Sequence, residues 1–259
     1  MKTKKTCIVL ATDIYFAEYT QVLLKSISAN YNGKEKLDVV VLVSKEVLDR
    51  EFKFIEFENL EISLRYPSQV EEHEASGLTT RMYKNANFTS ASMYRYFMGT
   101  VCAEFDKAIY IDIDCIEARD IQPILDFELV NAPIAAFQEM HLEHPDNPYF
   151  RDCAYFNSGV MVVDLNRWRK DRTEEKLIEV SESFTAWTGS QDQDILNVVF
   201  KNNWTPLNIN FNYLTNIYPG LRISNPIIVH FAGKSKPWKP TTSDNQWKRL
   251  WTEYYRDSL

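Results

Sequence analysis

No stretch of this sequence carries a dense run of lysine and arginine. The formal net charge is −7 and the pI about 5.3. A duplex-binding protein needs a cationic face, so nucleic acid is excluded as the expected partner, whereas a small anionic ligand needs only one or two local cations. Glycine is scarce, at 7 residues, and proline at 10, which leaves no low-complexity or linker-like segment. No internal repeat is visible. The four cysteines, Cys7, Cys102, Cys115 and Cys153, share no metal-ligand spacing. Three lie in apolar segments, as reduced core thiols of a cytoplasmic protein do. The apolar run Cys7 to Ala11 falls short of the roughly 7–15 residues of a secretory h-region. No run approaches the ~18 residues of a spanning helix.

What is abundant is core-forming material. Apolar residues make up 45 % and aromatic residues 14 % of the 259, enough for one large domain. "KTCIVLATD" and "LDVVVLVS" read as buried strands and "EISLRY" as a third. Between the first two, Tyr19, Val22, Leu23, Ser26 and Ile27 have the spacing of one helix face. "KEVLDREFKFIEF" reads as the second helix, and the β-α-β-α-β series implies a parallel sheet with helices on both faces. "FTSASMYRYFMGTV", "TEEKLIEVSESFTAW" and "DQDILNVVF" are expected helices; "APIAAF", "NSGVMVVDL" and "PIIVHFAG" are expected strands. The end, "SDNQWKRLWTEYYRDSL", carries a capping-box pattern from Ser243 to Gln246.

The segment "KAIYIDIDCIEARDI" ends a run buried on all sides with two acids, Asp112 and Asp114. On a strand these would project from one face with Cα atoms roughly 6.6–7 Å apart. Carboxylates that close repel unless protons or a cation lie between them, and a divalent metal bridges such a gap. A bare D-x-D is also compatible with a surface turn. A glycosidase pair fits poorly, because its two carboxyl groups must flank a bond from opposite sides. "NPIIVHFAGKSKPW" adds His230 at another strand end, and two carboxylates with an imidazole suit Mn²⁺ or another transition ion better than Mg²⁺. Gly233 permits close backbone approach, and Lys236 offers a point charge to a phosphate.

Taken in order, "IVLATD", "YRYFMG", "AIYIDID", "YFNSGVMVVDLNRW", "DQDILN" and "HFAGKSKPW" resemble the retaining glycosyltransferases of family 8, the group of bacterial lipooligosaccharide galactosyltransferases and, more distantly, glycogenin. The resemblance spans nearly the whole chain. It implies an α/β GT-A fold, with a Rossmann-like, mainly parallel mixed sheet flanked by helices. One domain would cover 1–259: a nucleotide-binding half to about 120, a sugar and acceptor half over about 121–242, and an amphipathic helix over 243–259. It also implies a UDP-hexose donor, a saccharide or glycoconjugate acceptor, and Mn²⁺, with Mg²⁺ a weaker substitute.

Residue by residue, the resemblance makes Asp112, Asp114 and His230 the metal ligands of a DxD-type site. Ala11 and Asp13 would line the uracil site, and Phe16 would stack on the base. Asp112, Gly233 and Lys236 would hold the diphosphate. Arg95 would reach the donor phosphate or sugar, and Asn157 and Ser158 would lie along the sugar. Asp192 would bond its hydroxyls, and Gln193 would set its amide near the anomeric carbon. The sequence departs from the family pattern at Tyr15, where a polar residue such as Asn is usual, so the Asn contact to the nucleotide would be missing or replaced by Tyr15.

Two other readings are weighed against this one. A non-catalytic UDP-sugar-binding protein on the same fold would not need the whole constellation. A nucleotidyltransferase would show a glycine-rich loop after the first strand, which "ATDIYFAEY" lacks. Asp194 reads as an acid complementing a helix dipole, and Gly159 as a packing residue. "HLEH", with His141 and His144, reads as loop. Lys248, Arg249 and Arg256 in the last helix are offset by Glu253 and Asp257, so docking against the domain is expected of it, with weak peripheral contact at the inner face of a membrane left open.

Overall fold

A computed structural model of the chain describes residues 5–75, 90–139, 147–151, 153–185, 188–215 and 223–256. Its centre is a seven-stranded sheet in the order β3-β2-β1-β4-β7-β6-β8. The strands are β1 (Thr6–Thr12), β2 (Leu37–Val43), β3 (Leu60–Arg65), β4 (Lys107–Ile111), β6 (Ile134–Gln138), β7 (Phe156–Asp164) and β8 (Thr205–Pro206). The first four run parallel, β7 is antiparallel to both β4 and β6, and β8 is parallel to β6. A smaller sheet, in the order β5-β10-β9, joins β5 (Cys115–Glu117), β10 (Ile228–His230) and β9 (Tyr213–Leu214).

The alternation of side chains along β1 builds the two layers. Cys7, Val9 and Ala11 face a core with Tyr94, Tyr96 and Met98. Ile8 and Leu10 face the opposite core with Leu23, Leu24 and Ile27 from the helix Ala17–Asn30. Each such aliphatic side chain stabilises the fold by about 1.5–3 kcal/mol relative to exposure, and β1 and β4 are buried along nearly their full length because both faces are covered.

Four elements differ from the sequence-based expectation. The helix after β2 is only Lys45–Asp49. Glu51 turns into the left-handed region at φ 50°, and the Phe52 amide returns to the Val47 carbonyl at 3.1 Å, closing the helix as a terminal glycine usually would. Ser90–Phe97 forms a 3₁₀ helix before the short α-helix Met98–Val101. Six of those eight residues are buried, so no one-sided pattern existed to reveal its pitch. The last helix, Gln246–Arg256, is capped by Asn245 rather than Ser243: the Asn245 Oδ1 accepts from Trp247 N at 2.9 Å and Lys248 N at 3.0 Å. Its aromatic face docks on the domain as expected, with Trp251 buried beside Val22, Ile116, Val229 and Phe231. Finally, Asp112 and Asp114 are not strand residues. β4 ends at Ile111 and β5 begins at Cys115, so a turn presents both acids.

No helix among the described residues is long and apolar enough to cross a membrane. His141 and His144 lie outside the described residues.

Candidate active site

The turn between β4 and β5 is pinned at both ends. The Asp112 amide donates to the Gly159 carbonyl of β7 at 2.7 Å, and the Cys115 amide returns to the Asp112 carbonyl at 3.1 Å. Opposite it the β6–β7 register shifts: Ala136 pairs with Met161 but Phe137 with Asn157. Such an irregularity re-aims side chains, and here it delivers Asn157, Ser158 and Gly159 to the acids.

Gly159 is more than a packing residue. A Cβ built there would lie 2.2 Å from His230 Cε1 and 2.8 Å from Asp112 Oδ2. The imidazole and that carboxylate oxygen thus border the same point, and only a glycine leaves room for both. His230 is held from behind by amides. The Gly159 amide donates to Asn157 Oδ1 at 3.0 Å, Asn212 Nδ2 donates to the same oxygen at 2.9 Å, and Asn212 Oδ1 faces His230 Nδ1 at 2.9 Å. A backbone N–H can only donate, so the chain of assignments follows: Asn157 Oδ1 accepts, Asn212 Oδ1 accepts, and His230 carries its proton on Nδ1. Nε2 faces Asp114 Oδ1 at 3.3 Å, where a proton on that nitrogen or a bound cation joins the two.

Asp114 is buried, and its second oxygen bonds the Lys236 ammonium. Burial alone would raise its carboxyl; Lys236 and then His230 outweigh that and hold it well below the usual carboxylate range. Cys115 shares the cluster, with ligand atoms of Asp114, Cys115 and His230 within 4.8 Å of one another. Burial first, then the charges of Asp114 and Asp112, push its thiol well up.

Arg95 lies beneath the acids, buried, with its guanidinium 4.2 Å from the Tyr110 ring centroid. It donates to Asp112 Oδ1 at 2.7 Å and to the Ser158 carbonyl at 3.0 Å. Its Nε is bonded to the Ser92 carbonyl and sits 3.1 Å from Asp192 Oδ2, a charge contact without hydrogen-bond alignment. Burial chiefly raises the Asp192 carboxyl to about 7; Arg95 opposes this and Asp112 adds to it.

Asp192 and Gln193 open the helix Asp192–Val199. Gln191 before them is buried at φ 43°, a strained conformation of the kind that collects at functional sites. Asp194 explains how it is held. It lies in the first turn of the helix as expected, and is also fully buried, accepting from Tyr155 OH at 2.6 Å, Thr188 N at 2.8 Å and Thr188 Oγ1 at 2.6 Å. Gln193 accepts from the Ser158 amide at 3.0 Å and donates to Glu139 at 3.3 Å.

At the end of β1, Asp13 Oδ1 accepts from the amides of Tyr15 and Phe16 at 2.9 and 3.2 Å. Asp13 and Ala11 are buried, whereas Tyr15 is 81 % exposed. The Phe16 ring lies 6.0 Å from Trp238 and 6.2 Å from Tyr19. Gly233 adopts φ 78° with nothing near its missing side chain. Asp112, Asp114, His230, Lys236, Arg95, Asn157, Ser158, Asp192 and Gln193 thus form one connected network.

Two members were missed in the sequence. Glu139 is buried and binds Asn157 Nδ2 at 2.7 Å. Its signal was there: like Asp112, it is an acid just past a buried strand. Asn212 had none, since nothing in "NINFNYL" marks it. With Asp112, Asp114, Asp192 and Glu139 against Arg95 and Lys236, the named acids outnumber the named bases, and the donor set fits a divalent ion.

The family model described as Glycosyl transferase family 8 matches residues 7–242. A probable glycosyl transferase, Gly, from Streptococcus gordonii is 29 % identical over 177 residues, covering 65 % of this chain and 25 % of the relative. A putative glycosyltransferase from Haemophilus influenzae is 25 % identical over 245 residues, 89 % of this chain and 72 % of the relative. The chain thus spans about a quarter of the streptococcal protein and nearly three quarters of the second. The crystal structure of the galactosyltransferase LgtC in complex with donor and acceptor sugar analogs matches with a TM-score of 0.75 at 22 % identity, over 96 % of this chain and 95 % of that one.

Proposed function

Because the chain belongs to glycosyltransferase family 8 and has the GT-A fold, we propose that it is a metal-dependent, retaining hexosyltransferase. It moves galactose or glucose from a UDP-sugar to a saccharide or glycoconjugate acceptor, on the cytoplasmic side, in surface polysaccharide or lipooligosaccharide synthesis. The observation that carries this reading is the convergence of His230 Nε2 on Asp114 Oδ1 at 3.3 Å, with Asp112 Oδ2 beside the same imidazole.

Asp112, Asp114 and His230 would hold Mn²⁺, with Mg²⁺ a weaker substitute, and the ion would neutralise charge on the departing diphosphate. Lys236 adds a second positive charge there, on the order of 3 kcal/mol for one well-placed group. Ala11, Asp13 and Phe16 receive the uracil, and Gly233 lets the diphosphate approach the backbone. Asn157, Ser158 and Asp192 orient the hexose. Arg95 acts from beneath, fixing Asp112, Ser158 and Asp192 rather than reaching outward, which its burial supports. Gln193 presents a neutral amide whose oxygen already accepts from Ser158. That makes it a poor nucleophile and favours attack by the acceptor from the leaving-group side over a covalent intermediate.

The test is calorimetry of Mn²⁺ and UDP binding, together with UDP release from a panel of UDP-sugars. Mn²⁺ should tighten UDP binding, and Asp112→Asn should abolish metal-dependent release. Near-normal release by that variant would remove the metal assignment.

A further inference from the structure

Each acid of the turn between β4 and β5 has one carboxylate oxygen already engaged by protein donors. Asp112 Oδ1 accepts from Arg95 Nη2 at 2.7 Å and from the Tyr110 hydroxyl at 2.8 Å. Asp114 Oδ2 accepts from the Lys236 ammonium. The other two oxygens meet at His230. Asp114 Oδ1 lies 3.3 Å from its Nε2, and Asp112 Oδ2 and the imidazole ring border the same point beside Gly159. Tyr110 has no part in the proposed reaction, yet it is rigidly placed. It is buried on β4, where its backbone pairs with Val9 of β1 on one side and Met161 of β7 on the other. The Arg95 guanidinium lies 4.2 Å from the centre of its ring and is tied to the carbonyls of Ser92 and Ser158 at 3.1 and 3.0 Å. A carboxylate rotation that gave both Asp112 oxygens to an ion would strand a buried hydroxyl and a buried guanidinium N–H, which is unfavourable.

We infer that Tyr110 is a positioning residue that, with Arg95, limits Asp112 to one metal-facing oxygen and thereby selects a small transition ion over Ca²⁺. The inference rests on the proposed metal assignment to Asp112, Asp114 and His230, and extends it to the choice of ion. Ca²⁺ takes about 6–8 oxygen ligands at roughly 2.3–2.6 Å and gains from a carboxylate that supplies both oxygens. An imidazole suits Mn²⁺ or another transition ion better than it suits Ca²⁺. One oxygen from each acid and one ring nitrogen meet the second requirement and fall short of the first. The Tyr110 hydroxyl therefore acts on which ion is held, and not only on how tightly any ion is held. Without it, Oδ1 keeps Arg95 alone, and the carboxylate gains freedom to turn both oxygens toward a larger ion.

The experiment titrates the full chain, without nucleotide, with Mn²⁺ and separately with Ca²⁺, and reads both affinities by calorimetry. Wild type is compared with Tyr110→Phe, which keeps the ring beside Arg95 and removes only the hydroxyl. The wild type should prefer Mn²⁺, and the variant should lower the Mn²⁺ to Ca²⁺ affinity ratio about tenfold, the effect of losing one group that orients a metal ligand. A tyrosine that merely supported the fold would weaken both ions together and leave the ratio alone. An unchanged ratio in Tyr110→Phe, with Mn²⁺ still bound by the wild type, would overturn the inference and leave the metal assignment standing. Equal affinity of the wild type for the two ions would overturn it as well, whether or not the variant folds. A wild type that bound neither ion would remove the metal assignment itself, and the inference with it.

Discussion

Asn212 Oδ1 lies 2.9 Å from His230 Nδ1, with both residues buried. Because the other end of the Asn212 amide donates to Asn157, this one contact sets which imidazole nitrogen keeps its proton. Groups that orient a metal ligand in this way typically change metal affinity 10–100-fold when removed. Asn212→Leu should weaken Mn²⁺ binding by that range, read by calorimetry, while far-UV circular dichroism is unchanged. Wild-type Mn²⁺ affinity in a folded Asn212→Leu protein would sink the tautomer argument.

Gly159→Ala places a methyl group where the His230 ring and the Asp112 carboxylate now sit. Neither can retreat freely, since His230 is buried. Overpacking of this kind costs about 1–3 kcal/mol. The variant should unfold at lower urea and bind Mn²⁺ at least tenfold more weakly, whereas an unaltered affinity would mean the ligands do not converge there.

Asp192 titrates at about 7 because it is buried, with Asp112 nearby. In the proposed role of acceptor for sugar hydroxyls it would work ionised, so donor turnover should rise as pH increases through about 7. Asp192→Asn should lower the rate and lose that limb of the profile. A profile of the same shape in the variant would assign the limb to another group.

Glu117 of β5 is 1 % exposed, and neither carboxyl oxygen has a hydrogen-bond partner. Burial, with a smaller push from Asp120, raises it to about 10. The folded protein therefore keeps this proton while the unfolded chain releases it above its ordinary 4.5. The proton favours folding fully below about 4.5, and that advantage is lost progressively as pH rises toward about 10. Urea melts should show Glu117→Gln gaining on the wild type by up to about 1.4 kcal/mol per pH unit between pH 5 and 9. A pH-independent difference would contradict the buried neutral acid.

Asn245 caps the last helix through two backbone amides. Asn245→Ala should cost about 1 kcal/mol in urea unfolding, and Ser243→Ala much less. The reverse ranking would restore the capping box.

The sequence by itself determined the strands β1, β2, β4 and β7, because uninterrupted runs such as Ile8–Leu10 and Val160–Val163 have no other way to bury both faces. It also marked Asp112, Asp114 and His230, since ionisable groups beside such runs stand out by composition alone. What it could not carry were relations between distant segments. It left strand and turn both open for the two acids, and gave no sign that Gly159 is the space His230 fills or that Asn212 orients the imidazole. Nor could it show that Asp194, read as a helix-start acid, is also a buried anchor. Those facts depend on which atoms meet across the sheet register, and a side chain's periodicity reports the face it points to but not the partner it finds there.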